Sequence, residues 1–283
     1  MNHVAMVPDI STKDEAVLHI DGGSVAGQPV LLLHGLGYAS WAGHPLRLRL
    51  SPTVRLLSLD NRGTGRSSRG SAPISIDRFA SDAATVLEQL RERGMGRTPV
   101  IGHSMGGYIA QLLAVARPDL VSHVVLVSTS GGGPTATPVP EATRRLWLDS
   151  STLPADEYAV RTMPVSFAEG WPAQHADVYQ QLLAARLRYL TPPTVWREQY
   201  DACERFLEAG YDHSQLTTPA LILHGSADRV VPVENGRDLH WTLPSSRYRE
   251  VEGAGHALHL EHPEIVASEI NDFLTTDHAS NKE

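Results

Sequence analysis

The sequence predicts an α/β protein, a doubly wound and mostly parallel sheet with a helical lid inserted late in the chain. Three observations carry this expectation. Short runs that are apolar throughout recur along the chain, each stopped by glycine or a polar cluster. Helix-period stretches lie between them, and residues 131–218 break the alternation. Apolar runs of this kind suit parallel strands covered on both faces. Strand–helix alternation then predicts right-handed crossovers and a ligand site beyond the carboxyl ends of the strands.

The elements follow in order. The run 30–33 ends in His34-Gly35, and 54–59 ends in Asp60-Asn61-Arg62-Gly63. Phe79, Ala83, Val86, Leu87 and Leu90 recur at helical spacing, with Gly94 placed to end that helix. Val100-Ile101 runs into Gly102-His103-Ser104, and a helix over 108–116 follows, stopped before Pro118. After the run 124–127 comes a Ser/Gly-rich turn. Four helical segments are then expected, around 141–149, 156–163, 173–189 and 194–207, and the stretch 131–218 also carries Trp147, Trp171 and Trp196. The run 220–223 ends in His224-Gly225, and a last strand is expected at 248–251. This divides the chain into a core, 1–130 with 219–283, and a lid, 131–218. The polar end, from about Thr275, is expected to fray.

Composition narrows the classes of function. With 283 residues, 41% of them hydrophobic, the chain can bury one large core plus an insertion. The formal net charge is −8 and the arginines are scattered, which argues against a nucleic-acid partner. Cys203 is the single cysteine, so no disulfide can form within the chain; its helical context suits a buried structural thiol and a reducing cytoplasm. Residues 1–9 lack the charged and apolar regions of a signal peptide, and no 18 consecutive apolar residues occur. A cytoplasmic monomer or homodimer acting on a small-molecule substrate is expected, with no membrane or nucleic-acid partner.

Gly102-His103-Ser104-Met105-Gly106-Gly107 places a serine between a strand and a helix. A nucleophile there must sit on a strained turn so that its hydroxyl stands above the sheet, and bulky residues two positions either side would collide with their neighbours. The helix that starts at the serine points its positive dipole end at the developing charge. A serine hydroxyl also needs a base. Of fourteen histidines the best placed is His256, in Gly253-Ala254-Gly255-His256-Ala257 after the last strand. His259 and His262 are expected to be surface or helix-start residues rather than metal ligands. Asp228, in the loop after the strand ending in His224-Gly225, is positioned to orient the base. Backbone N–H groups of Met105 and Leu36 are the expected oxyanion donors, with Gly35 and Gly37 allowing close approach; His34 is expected to fix its loop.

The order Ser, Asp, His and the four motifs His34–Gly37, Asp60–Ser67, Gly102–Gly107 and the Asp228 and His256 loops resemble the α/β-hydrolase fold over about residues 16–274. Within it the chain is most similar to the branch of 3-oxoadipate enol-lactonases, haloperoxidase-like esterases and anthracycline methylesterases. That resemblance implies a serine hydrolase with a Ser104–His256–Asp228 triad, requiring no metal or organic cofactor. It also implies a bracing role for Asp60 and Arg62, and it disfavours dehalogenase and epoxide hydrolase chemistry, which uses Asp where this chain has Ser104. Trp41, Trp147, Met163, Phe167 and Trp196 are the pocket candidates, and at most one of Arg144 and Arg145 could face the site. The expected reaction is hydrolysis of a carboxylic ester or lactone of a small, largely apolar substrate. The alternatives are C–C bond hydrolysis of a diketone-type substrate and a ligand receptor on the same fold.

Overall fold

The computed structural model describes residues 8–22 and 27–280, with side chains through Thr275. Residues 1–7, most of the stretch read for a signal peptide, lie outside the described residues. The strands are β1 (Ile10–Ser11), β2 (Val17–Leu18), β3 (Ile20–Asp21), β4 (Gln28–Leu33), β5 (Val54–Leu59), β6 (Thr98–His103), β7 (Val121–Val127), β8 (Ala220–Gly225) and β9 (Ser246–Val251). β1 and β2 form a separate antiparallel pair. The other seven form one sheet in the order β3-β5-β4-β6-β7-β8-β9, parallel throughout except for β3 at its edge.

Alternate residues of the central strands feed two cores. Leu31, Leu33, Val100, Val124, Leu126 and Ile222 face one layer, packed against helices Ile76–Glu92 and Met105–Ala116. Val30, Leu32, Ile101, Val125, Val127 and Leu223 face the other, where Val266, Ile270 and Phe273 of helix Pro263–Ser280 cover them. Both faces are dry, which is why these strands read as continuous apolar runs rather than alternating ones. Ser75 opens the helix Ile76–Glu92 by accepting the Arg78 N–H at 3.0 Å.

Between β7 and β8 lie the helices Glu141–Ser150, Ala155–Thr162, Trp171–Gln174, Ala176–Arg188 and Pro193–Ala209, with no strand among the described residues. The single helix expected at 173–189 is two, broken at His175 (φ −122°, ψ 44°). A third apolar cluster joins this stretch to the sheet's loops and holds Tyr38, Trp41, Met163, Phe167, Leu182 and Leu260. The last helix continues past Thr275 to Ser280, with Phe273 and Leu274 buried.

Parallel register brings the strand ends together. Leu33 pairs with Leu59 and with Gly102, His103 with Val127, and Gly225 with Val251. The loops beginning at His34, Asp60, Ser104 and Ser226 therefore share one edge of the sheet.

Candidate active site

Ser104 takes φ 55° and ψ −121°, outside the regions that residues with a side chain ordinarily occupy. Such a conformation costs about 1–3 kcal/mol and persists only where neighbours impose it. Here they do: its N–H donates to the Val127 carbonyl at 3.0 Å, and its own carbonyl accepts from Gly107 N–H and Thr129 Oγ1, each at 2.8 Å. A Cβ on Gly106 would run into the Leu33 carbonyl, and one on Gly102 into the Gly106 backbone. Only glycine lets the turn sit this tightly on β4.

His256 Nδ1 lies 2.8 Å from Asp228 Oδ2. The other carboxylate oxygen, Oδ1, accepts the N–H groups of Val230 at 2.7 Å and Val231 at 2.9 Å. His224, fully buried, adds Nε2 at 3.3 Å from Oδ2 and 2.9 Å from the Val231 carbonyl. Burial opposes the charge on Asp228, but the two imidazoles and their hydrogen bonds outweigh it and hold the carboxyl down at about 2. His224 was not singled out from the sequence, although its place four residues before Asp228 was a usable signal.

The loop that carries His256 is buttressed as well. His103 Nε2 sits 3.0 Å from the His256 carbonyl, and its ring lies 4.8 Å from the His256 ring and 4.4 Å from that of His259. His259 is thus not a surface residue; it lies in the short helix Leu258–Glu261 but is buried against His103. Burial pushes His34 and His259 down to about 3 and His103 well below its ordinary range, so all three are neutral near pH 7. An imidazolium forming on His256 therefore meets no neighbouring positive charge from them. The Glu261 carboxylate accepts the N–H of Gly255 at 3.0 Å and that of Ala168 at 2.6 Å, and Ala257 N–H donates to the Ser166 carbonyl at 2.6 Å.

Ser104 and His256 line one cavity, together with Leu36, Trp147, Trp196 and Arg186. A second cavity meets it at Leu36, Ser104, Trp147 and Val230, and adds Met105. The loop carrying Leu36 comes close: a Cβ on Gly35 would lie 3.1 Å from Ser104 Cβ. Gly37 N–H, in turn, donates to Gln199 Oε1 at 3.0 Å. Of the five pocket candidates, Trp147 and Trp196 line the cavity. Trp41, Met163 and Phe167 do not; they are buried in the third apolar cluster, where Trp41 stacks on Tyr38 at 5.1 Å. Arg144 and Arg145 pair with Glu141 on the exposed side of their helix, and neither lines this cavity.

Asp60 and Arg62 brace the neighbouring loop. Asp60 accepts Ser40 N–H at 2.6 Å and Arg66 N–H at 2.8 Å. The fully buried Arg62 holds both oxygens of Asp82 at 2.7 Å and those of Asp14 at 2.6 and 3.2 Å. Cys203 is buried on helix Pro193–Ala209, and burial pushes its thiol up. Among the described residues, no group of three or more His, Cys, Asp or Glu side chains is placed to hold a metal ion. Among them, too, no helix is long and apolar enough to cross a membrane.

Ser104 thus stands at the tip of a strained strand–helix turn on the carboxyl edge of a parallel sheet, and shares a cavity with a carboxylate-held histidine. The chain belongs to the alpha/beta hydrolase family, whose model matches residues 30–269. It is 28% identical to the rhodomycin D methylesterase of Streptomyces peucetius, over 92% of this chain and 95% of that one. It is 26% identical to a 2-hydroxy-6-oxononadienedioate/2-hydroxy-6-oxononatrienedioate hydrolase of Dechloromonas aromatica, over 91% and 90%. Among solved structures, a thermophilic esterase from Thermogutta terrifontis superposes with a TM-score of 0.76 at 25% identity, covering 95% of this chain and 97% of that one.

Proposed function

We propose that the protein hydrolyses a carboxylic ester or lactone of a small, largely apolar substrate through an acyl-enzyme. The observation that carries this reading is the 2.8 Å contact between Asp228 and His256 Nδ1, beside a cavity that Ser104 also lines. In this reading Ser104 Oγ attacks the carbonyl carbon while His256 Nε2 takes the hydroxyl proton, and Asp228 stabilises the resulting imidazolium. The N–H groups of Leu36 and Met105 hold the oxyanion. His256 passes its proton to the leaving oxygen, the C–O bond breaks, and the alcohol departs. Water then attacks the acyl-enzyme with His256 again as base, releasing the acid; a lactone yields both parts as one hydroxy acid. The helices of 131–218 act as the lid, and Trp147 and Trp196 wall the pocket.

The methylesterase relative supports the ester reading. The test is labelling by a fluorophosphonate, with turnover of phenyl butyrate measured alongside. Wild type should be labelled on Ser104 and active, whereas Ser104→Ala should be unlabelled and inactive; full activity in Ser104→Ala would overturn the proposal. C–C bond hydrolysis is the second reading, favoured by the Dechloromonas relative. Fast turnover of a vinylogous diketone with negligible ester hydrolysis would select it. A receptor on this fold would leave Ser104 unreactive.

A further inference from the structure

Helix Ala176–Arg188 buries Tyr179, Leu182 and Leu183, and the next position on the same stripe is Arg186. The helix's own periodicity reserves that position for an apolar side chain. Arg186 is nevertheless 6% exposed, and its guanidinium carbon lies 5.1 Å from the centre of the Tyr38 ring. Tyr38 itself has a buried hydroxyl without a hydrogen-bond partner. Arg186 lines the cavity of Ser104 and His256, and no residue of that lining is Asp or Glu. Its other titratable members include His103, which burial holds neutral. A cation withdrawn from water with no counter-charge in its cavity is expensive to keep. A carboxylate on a ligand supplies that charge in the planar, two-pronged geometry guanidinium groups favour.

We propose that Arg186 is an anion subsite, and that the protein selects esters or lactones whose scissile carbonyl sits at Ser104 while a free carboxylate reaches Arg186. The second cavity meets the first at Ser104 and is lined mainly by apolar and aromatic groups, among them Met105, Tyr108, Tyr200 and Leu207, with Glu204 as its one acidic member. It takes the uncharged end. The substrate is therefore an amphiphilic acid, charged on one side of the bond that breaks and apolar on the other. This rests on the ester and lactone reading above.

Two matched pairs of esters test it. Phenyl hydrogen glutarate is compared with methyl phenyl glutarate, and carboxymethyl butyrate with its methyl ester, so that the charge falls on the acyl side in one pair and the alcohol side in the other. In wild type the anionic member of one pair should exceed its methylated partner in kcat/KM by about ten- to a hundredfold, mostly through KM. In Arg186→Met that ratio should fall to one or below, and Arg186→Lys should recover part of it. Equal or better turnover of the methylated member in both pairs overturns the proposal. Glutarate binding, read from tryptophan fluorescence with Trp147 and Trp196 in the cavity wall, tests the subsite without turnover. Binding by wild type that Arg186→Met loses supports the proposal even if every ester is refused, in which case it is the hydrolase reading that fails. No glutarate binding by wild type, with neutral esters hydrolysed, leaves the hydrolase standing and removes the subsite.

Discussion

Replacing Asp228 by asparagine separates the charge of the carboxylate from its shape. Oδ1 accepts two backbone N–H groups, from Val230 and Val231, so the amide oxygen of Asp228→Asn must take that position. The reverse orientation would set an NH2 group against two donors and leave buried N–H groups unsatisfied, at about 1–3 kcal/mol each. The amide NH2 is thereby forced to face His256 Nδ1, where Oδ2 stood at 2.8 Å. Nδ1 can then only accept, its proton moves to Nε2, and the ring can no longer take the proton of Ser104. A wrong tautomer held in an otherwise intact site lowers turnover by about 10⁴-fold, or about 5.5 kcal/mol of transition-state stabilisation. The assay is kcat/KM on the preferred ester near pH 8, with thermal unfolding run in parallel to show that the variant is folded. A loss of less than about tenfold in a folded variant would refute the reasoning, because the histidine would then be acting without its carboxylate.

The remaining expectations concern stability. The Asp228 carboxyl titrates at about 2 in the folded chain against 3.8 ordinarily, so its ionisation stabilises the fold above about pH 4 and that contribution is lost as the pH falls toward 2. It is worth about 2 kcal/mol, and the stability gap between wild type and Asp228→Asn should shrink over that interval in acid denaturation; a constant gap would contradict it. Arg62→Met strands the buried Asp82 carboxylate and should cost about 3–5 kcal/mol in urea unfolding. Adding Asp82→Leu should recover much of that loss, and no recovery would show that the ion pair is not its source. Phe167→Ala, in the cluster beneath the helices, should cost about 3–5 kcal/mol by the same measurement.

The sheet could be read from the sequence because its central strands are buried on both sides and about six residues long. β1, β2 and β3, two residues each, are too short to carry any period, and so the hairpin and the antiparallel edge went unseen. Ser104 announces itself locally, since its turn demands glycines at fixed offsets. Asp228 and His256 are singled out by chain order, and the fold sets them 2.8 Å apart. What failed was the distinction between an apolar side chain that walls a cavity and one that fills a contact. Trp147 and Trp196 look no different in sequence from Trp41 and Phe167, because the difference lies in what faces them. Arg186, His224 and His259 were missed for a related reason. Polar residues are assumed to be exposed, and only the surrounding packing reveals the exceptions.

Glu261 grips the backbone of Ala168 with one oxygen and that of Gly255, next to His256, with the other. The stretch that helps roof the cavity and the loop that carries His256 are thus two ends of one clasp. Changes near Ala168 that reshape the roof will pull on His256 and, in the proposed mechanism, alter kcat together with KM. Trp147 and Trp196 line the cavity from other helices, Glu141–Ser150 and Pro193–Ala209. Substrate range can be retuned there with little disturbance to the proton transfer, which makes that flank the more adaptable part of the molecule.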